Sequence, residues 1–294
     1  MNAEGGRIRT EGLVGGRSFS SGNRFAALGA LAPEAGTRAT AHPPEEIAAF
    51  FDLDGTLIPR PSLEWRFVSY LLSRDEIPSS NLVRWLARSI TGFFGGPWGS
   101  VRAIKSYLAG LRAALACDWE RSLLLGSLPV FSAGLDRLRW HAAQGHCVFL
   151  VSGTLEPLAR IVARRLEQLL PQDVAPQIKT CATRLESFGG IWTGFLTGEH
   201  MCGEAKARAI REIAAAGRFD LSRSFAYGDE IADIPMLAAV GHPVAVNPSS
   251  RLERAARVHG WRICDWRKLE GAPLAMPGIP RNAFPRTFSP RAIP

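Results

Sequence analysis

The sequence has no apolar run that approaches the roughly 18 residues of a membrane-spanning helix. Its five cysteines are scattered and include no Cys-x-x-Cys pair, which argues against a zinc site or a disulfide framework and favours reduced thiols. The six histidines show no metal-ligand spacing, so we interpret them as structural or surface residues. From these absences we expect a cytoplasmic protein that neither crosses nor binds a membrane.

Positive charge is in excess, but no dense Lys/Arg run occurs: the formal net charge of +8 is spread over the middle and the C-terminal end of the chain. Nucleic-acid binding surfaces usually cluster their basic residues, so we predict no nucleic-acid partner. A mild, spread excess of positive charge also suits an anionic phosphate ester. With 46% hydrophobic and 21% charged residues in 294 positions, the composition is that of a globular protein of one or two domains.

The two ends of the chain differ in composition from its middle. Residues 1–46 are rich in Gly, Ala, Ser and Arg without a sustained apolar period, which predicts a disordered N-terminal extension. They also lack the continuous apolar core of a signal peptide. Residues 271–294 contain recurrent prolines and predict an extended, Pro-rich C-terminal tail.

Between these ends, short apolar strands alternate with helical periodicity, which predicts an α/β fold with a Rossmann-like parallel sheet covered on both faces. We assign this core to residues 47–61 and 129–270. The predicted strands are Ile47–Asp52, Cys147–Val151, Gln177–Ala182, Ser224–Tyr227 and Pro243–Val246. The predicted helices are Ala133–Gln144, Glu156–Leu170, Glu204–Ala215, Ile231–Val240 and Arg251–Val258.

Two insertions interrupt the alternation. Residues 62–128 contain no convincing strand and predict an α-helical cap, with helices over Leu63–Leu72, Leu82–Thr91, Val101–Ala116 and Trp119–Leu125. Residues 183–198 place Gly189 and Gly190 between two polar–apolar alternations, which predicts a small β-hairpin.

A carboxylate pair follows the first predicted strand. Asp52 and Asp54 are two positions apart, so their side chains leave the strand on the same face, and Gly55 and Thr56 then allow the chain to turn away. One carboxylate can attack phosphorus, while the other protonates the leaving oxygen. Two carboxylates beside a phosphate require a cation, and Mg²⁺ prefers oxygen ligands. The alternative is a strand-end turn with a helix cap.

Three further segments supply the other groups that such chemistry needs. Ser152 follows the second strand, where its hydroxyl could hold a phosphate oxygen or, like Thr154, simply cap a helix. Lys206 begins a helix, as a fixed positive charge or as a solvated lysine. Asp229 and Asp233 follow the fourth strand, as metal ligands or as acids that complement the helix dipole.

These four motifs, in this order, resemble those of the haloacid dehalogenase (HAD) superfamily, specifically its phosphoserine-phosphatase-like branch with a helical cap. They read Phe51-Asp52-Leu53-Asp54-Gly55-Thr56-Leu57, Ser152-Gly153-Thr154, Lys206, and Gly228-Asp229 with Asp233, and the resemblance covers about residues 47–266. The closing pattern Asn247-Pro248, Gly260-Trp261 and Asp265-Trp266 is similar to that of uncharacterised hydrolases in this branch.

The resemblance implies a role for each motif residue. Asp52 would form an aspartyl-phosphate and Asp54 would be the general acid and base. Thr56, Ser152, Gly153 and Lys206 would bind the phosphoryl group. Mg²⁺ would be held by Asp52, by Asp54 or its backbone carbonyl region, and by Asp229, with Asp233 supporting the metal.

Substrate recognition departs from the family. Phosphoserine phosphatases carry a cap glutamate about nine residues after the nucleophile; here that position is Pro61, and Glu64 follows. The arginine expected to hold a substrate carboxylate has no clear counterpart, which leaves Arg102 and Lys105 as candidates. We therefore predict that Glu64 with Arg102 or Lys105 sets substrate choice.

The sequence thus predicts a Mg²⁺-dependent phosphatase that hydrolyses a small phosphorylated metabolite, with phosphoserine and histidinol phosphate among the candidates. Two alternatives stay open at this point. The same fold could transfer the phosphoryl group to a second substrate, or it could be a basic module that binds nucleic acid or protein without turnover. The sequence also leaves a homodimer open.

Overall fold

The computed structural model describes residues 46–95, 105–124, 128–170 and 177–267. The strands are β1 (Ala48–Phe51), β2 (Cys147–Leu155), β3 (Lys179–Thr183), β4 (Leu185–Phe188), β5 (Ile191–Leu196), β6 (Phe225–Gly228), β7 (His242–Val246) and β8 (Arg262–Cys264). The helices are α1 (Leu63–Leu72), α2 (Ser79–Gly95), α3 (Leu115–Leu124), α4 (Ser132–Ala143), α5 (Glu156–Leu169), α6 (Glu204–Gly217), α7 (Ile234–Leu237) and α8 (Ser250–Val258). Apart from Glu46, the predicted N-terminal extension and the C-terminal tail lie outside the described residues.

Six strands form one parallel sheet in the order β3-β2-β1-β6-β7-β8, and β4 and β5 form a separate antiparallel hairpin. The predicted α/β class with its parallel sheet, inserted helices and hairpin is therefore confirmed. Because β1 lies between β2 and β6, the carboxyl ends of these three strands meet at the middle of one sheet edge. No helix among the described residues is long and apolar enough to span a bilayer.

Alternate strand residues pack on opposite faces of the sheet, as the pleat of a strand requires. Phe50 and Phe149 stack with their ring centroids 5.3 Å apart, and they pack with side chains of α6, α7 and α8. Phe51 and Tyr227 stack at 4.3 Å on the other face, with α4 and α5. Both faces of β1 are thus buried, which fixes the position of the residue that follows it.

The segment that we predicted as a helical cap begins at Ser62, whose hydroxyl accepts the N–H of Trp65. Leu63, Phe67 and Leu71 then form the buried stripe of α1. The predicted Leu82–Thr91 helix lies within α2, and the predicted Trp119–Leu125 helix belongs to α3, which begins four residues earlier.

The prediction of a helix over Val101–Ala116 is wrong for residues 105–114, whereas its last two residues, Leu115 and Ala116, begin α3. Only Ser106–Leu108 form a 3₁₀ turn, and the chain then pairs with the hairpin. The N–H groups of Lys105 and Gly110 donate to β5 carbonyls at 3.0 and 2.8 Å, and Trp192 donates to Leu111 at 2.9 Å. The hairpin therefore attaches to the cap through backbone hydrogen bonds.

Three other predictions need correction. Strand β2 continues to Leu155, so Ser152 and Thr154 lie within the strand, and Thr154 does not cap the next helix, whose N-cap residue is Leu155. The predicted Ile231–Val240 helix is a 3₁₀ turn followed by the short α7. Strand β8 was not predicted, because three residues at a sheet edge carry too little periodicity.

A buried histidine links α4 to the sheet. His141 is fully buried, and its ring nitrogens lie 2.9 Å from the Tyr227 hydroxyl and 2.8 Å from Nδ1 of His146. Burial, with the charges of His146 and Arg137, lowers the pKa of His141 well below its ordinary value. Burial also lowers the pKa of His146 to about 4. Both rings are therefore neutral in the folded protein at neutral pH.

These lowered pKa values predict acid-sensitive stability. In the unfolded chain both histidines gain protons near pH 6.5, so their contribution is full above that pH and is lost as the pH falls toward 4. We expect the pair to cost roughly 1–2 kcal/mol of unfolding free energy between pH 6.5 and 5.5, with the larger part from His141 because His146 is only partly buried. Urea unfolding at both pH values measures this loss, and His141→Gln should remove more than half of it.

The exposed His259 provides the control, because His259→Gln should keep the wild-type pH dependence. An equal pH dependence in wild type and His141→Gln would contradict the assignment.

Candidate active site

Asp52 follows β1 at the centre of the sheet edge. Its N–H donates to the carbonyl of Tyr227 in β6 at 2.9 Å, which continues the parallel pairing beyond the strand. The side chain is buried, and burial together with the charges of Asp233 and Asp229 raises its pKa against the opposing effect of Lys206. The backbone of two strands therefore fixes this carboxylate in a place where it needs a cation.

Lys206 supplies one such cation from the first turn of α6. Its Nζ donates to Oδ1 of Asp52 at 2.5 Å and to Oδ1 of Asp233 at 2.7 Å. Burial alone would favour the neutral amine, but the charges of Asp233 and Asp52 outweigh it and raise the pKa of Lys206. Lys206 is therefore a permanent buried ammonium between two carboxylates.

Asp233 is held by the loop that follows β6. Its Oδ2 accepts the N–H groups of Asp229 and Glu230 at 3.1 and 3.0 Å, within the 3₁₀ turn Ile231–Asp233. Gly228 permits this close turn, since a Cβ there would lie 2.5 Å from the Cβ of Asp233. With both oxygens engaged, Asp233 orients Lys206 and the Asp229 backbone.

Asp229 contributes a carboxylate oxygen that could accept a cation. It is only 4% exposed, its Oδ2 accepts a hydrogen bond from Arg60 at 3.0 Å, and its buried Oδ1 has no partner among the described residues. Burial and the charge of Asp233 raise its pKa to about 7. A buried carboxylate oxygen without a donor is suited to a bound cation.

Carboxylate oxygens of Asp52, Asp229 and Asp233 lie within 4.8 Å of one another. Oxygen donors are the ligands that Mg²⁺ prefers, and the free Oδ1 of Asp229 fits this use. The side chain of Asp54, which we predicted as a metal ligand, lies outside this group. Of the carboxylates in that prediction, the structure brings together the other three.

Asp54 faces the beginning of the cap. Its Oδ1 accepts the N–H of Leu63 at 2.6 Å, so this carboxylate caps the first turn of α1. Burial raises its pKa, which the hydrogen bond from Leu63 opposes, and the charge of Glu64 raises it further. A raised pKa favours the protonated form that a general acid needs.

The predicted phosphate-binding residues lie near the same sheet edge. Thr56 is fully buried, and its Oγ1 has no partner within the described part of the chain. Ser152 is buried and accepts the N–H of Thr154 at 3.2 Å, while the Gly153 carbonyl accepts from Thr183 at 2.8 Å. Ser152 thus lies within β2, next to the carboxyl end of β1, and its position does not depend on a helix N-terminus.

The predicted cap residues contact each other. Lys105 donates to both carboxylate oxygens of Glu64 at 2.7 and 2.8 Å, and the Tyr107 hydroxyl donates to Oε1 of Glu64. Burial and the charge of Glu64 raise the pKa of Tyr107, which keeps it protonated. The charge of Glu64 is therefore offset within the cap. Arg102 lies outside the described residues.

Two residues at the site were missed as contributors to it. Arg60 donates to Asp229 and Glu230, yet a single arginine between prolines gives no sequence signal. Asn247 donates to the Gly55 carbonyl at 2.9 Å and accepts the N–H of Trp266 at 2.7 Å. The Asn247-Pro248 and Asp265-Trp266 patterns could have indicated this second link, which supports the loop after Asp54.

Comparisons with known proteins agree with this geometry. The family model for haloacid dehalogenase-like hydrolases matches residues 49–238. A Mycobacterium tuberculosis protein named phosphoserine phosphatase is 33% identical over 250 residues, which cover 80% of this chain and 77% of the relative. The fold and the site thus define a hydrolase with a phosphatase-like function. This chain belongs to the haloacid dehalogenase-like hydrolase family.

Solved structures extend the comparison. A Bordetella pertussis protein of unknown function is 25% identical with a TM-score of 0.61, covering 76% of this chain and all of that one. A phosphoserine phosphatase solved as an analogue of its phospho-aspartyl intermediate has a TM-score of 0.51 at 18% identity, covering 76% of this chain and 94% of that one. This second likeness concerns the fold alone.

Gly55 provides a test of the packing around Asp229. Its φ is +94°, and a Cβ there would lie 2.0 Å from Oδ2 of Asp229. We expect Gly55→Ala to lower the unfolding free energy by roughly 2–4 kcal/mol, because backbone strain and a steric clash act together. Urea unfolding would measure the loss.

Gly145→Ala is the matched control. Its φ of +71° imposes a similar backbone strain, but the added Cβ would meet no described atom within 4 Å. We expect a cost of about 1 kcal/mol there. Equal losses in the two variants would show that contact with Asp229 does not restrict position 55.

Proposed function

We propose that this protein is a Mg²⁺-dependent phosphatase that hydrolyses a small phosphate monoester through an aspartyl-phosphate intermediate. The observation that carries the proposal is the buried Lys206, which joins Asp52 to Asp233 beside the free Oδ1 of Asp229. Such a carboxylate–ammonium arrangement would be costly in a protein that used it only for stability.

Asp52 is the proposed nucleophile. Its carboxylate attacks phosphorus, and the bond from phosphorus to the ester oxygen breaks while Asp54 gives a proton to that leaving oxygen. Asp54 then takes a proton from water as the water attacks the phosphoryl group on Asp52, which releases inorganic phosphate. The raised pKa of Asp54 supports the first of these two roles.

Asp52 and Asp229, supported by Asp233, would hold the metal ion in this proposal. When bound, Mg²⁺ supplies positive charge that offsets the repulsion between the phosphate oxygens and the carboxylates. Lys206 holds Asp52 in position and faces the phosphoryl oxygens with its remaining N–H group. Phosphatases of the haloacid dehalogenase family generally use Mg²⁺, which supports the choice of ion.

Thr56, Ser152 and Gly153 are the proposed ligands of the phosphoryl oxygens. The buried hydroxyl of Thr56 is free to donate, since no described residue pairs with it. Ser152 accepts a hydrogen bond in the structure, which leaves its own hydroxyl proton available for a phosphate oxygen.

We propose small phosphorylated metabolites as the substrate class. The name of the Mycobacterium tuberculosis relative makes phosphoserine the first compound to test. Besides burial, the charge of Glu64 raises the pKa of Asp54, so Glu64 lies near the proposed general acid. The ion pair of Glu64 with Lys105 would therefore line the substrate-binding site. This pair would therefore set substrate choice, while the core sets the rate.

Replacing the nucleophile tests the mechanism. We expect Asp52→Asn to lower phosphate release by several orders of magnitude, because a neutral amide cannot attack phosphorus. Release from an aryl phosphate and from a panel of small esters would be measured with and without Mg²⁺. Asp136→Asn, on the exposed surface of α4, makes the same chemical change as a control and should keep wild-type activity.

Less than about a tenfold loss in Asp52→Asn would refute the nucleophile assignment. Turnover that is unchanged by metal removal would refute the role of Mg²⁺.

A second variant tests substrate choice. Glu64→Gln leaves the Lys105 ammonium without its carboxylate, so substrates that carry an ammonium should be disfavoured. We expect kcat/KM for 3-phosphoglycerate to rise about tenfold relative to phosphoserine, which differs from it by an amino group in place of a hydroxyl. Asp75→Asn, an exposed cap residue with φ of +55°, is the control. An unchanged ratio would contradict the role of Glu64.

A further inference from the structure

Arg60 lies between the sheet edge that carries the carboxylates and the first helix of the cap. It lies two residues before the N-cap of α1, and its Nη2 donates both to Oδ2 of Asp229 at 3.0 Å and to Oε1 of Glu230. The side chain of Arg60 is 60% exposed, whereas that of Asp229 is 5% exposed. An arginine at the surface thus reaches a carboxylate that is otherwise buried.

The backbone around Arg60 is fixed independently of this ion pair. Arg66 donates to the carbonyls of Pro59 and Pro61, at 3.0 Å in each case. Because these contacts hold the residues on either side of Arg60, its side chain can change partner without a movement of the backbone at residues 59–61. Nη2 of Arg60 already contacts both acceptors, so loss of the Asp229 contact requires only a short movement.

A divalent cation and Arg60 would use the same carboxylate, the cation through Oδ1 of Asp229 and Arg60 through Oδ2. A metal ion bound to Asp229 places a second positive centre beside the guanidinium, and the two repel each other at this distance. Glu230 is 43% exposed and already accepts from the same nitrogen, so it can retain Arg60 when this repulsion displaces the guanidinium from Oδ2 of Asp229. The described residues therefore supply both the competitor and its alternative partner.

We propose that Arg60 is a positioning residue that competes with the divalent cation for Asp229, and that Glu230 receives Arg60 when the cation binds. This inference rests on the proposed metal site. Arg60 thereby lowers the affinity for the cation, and Glu230 raises that affinity by acting through Arg60. The two residues have opposite effects although neither needs to touch the metal.

Calorimetric titration of the full chain with Mg²⁺ and Mn²⁺ tests the exchange without any substrate. We expect Arg60→Gln to tighten binding at least fivefold and Glu230→Gln to weaken it by a similar factor. In the Arg60→Gln background, Glu230→Gln should change the affinity less than twofold, because the partner through which it acts is absent. Arg257→Gln, which removes an exposed arginine paired with Glu253 on α8, should leave binding unchanged.

The outcomes separate this inference from the proposed function. Binding to wild type that is unchanged in Arg60→Gln would overturn the competition and leave the metal site intact. An equal effect of Glu230→Gln in both backgrounds would also overturn it, since Glu230 would then act on the cation directly. A wild-type chain that binds neither cation would overturn both the inference and the proposed metal site.

Discussion

The buried ammonium of Lys206 is the interaction on which the rest of the site depends. Two strands of a parallel sheet bring Asp52 and the loop of Asp233 to the same edge, where their carboxylates would repel each other in a medium of low dielectric constant. Lys206 offsets both charges, and Asp233 is in turn held by two backbone N–H groups. Removal of one member would leave an uncompensated buried charge, which typically costs 3–5 kcal/mol.

Most of this arrangement follows from the sequence, because residues after parallel strands meet at one edge whatever the details of the helices. Asp52, Ser152 and Asp229 each follow an apolar segment that the sequence predicts as a strand, so their proximity could be predicted from the alternation of strands and helices alone. Lys206 depended on the resemblance as well, since a lysine in a first helical turn is usually solvated. The interpretation of Ser152 as part of a helix start was wrong, because β2 continues past Ser152 to Leu155 by pairing with β3.

The cap was harder to predict than the core, for a physical reason. Residues 105–113 have helical periodicity, but their backbone groups pair with the hairpin, which lies about 80 residues further along the chain. Local propensity is a weak guide where distant pairing satisfies the backbone. The contact between Glu64 and Lys105 depends on that pairing and could not be predicted from their spacing in the sequence. The contact between Arg60 and Asp229 could not be predicted either, because 169 positions separate the two residues.

The attachment of the hairpin to the cap has a mechanical consequence. A domain inserted into a loop is joined to its host by two chain segments, and it can rotate about the line between them. Here the β4–β5 hairpin, which is hydrogen-bonded to the cap, adds two more segments. One runs from β3 to the hairpin, and the other runs from the hairpin to α6. A rotation of the described cap residues would therefore also strain the segment that runs from the hairpin to α6, the helix that carries Lys206. A displacement of the cap is thus mechanically coupled, through this segment, to the position of the Lys206 ammonium.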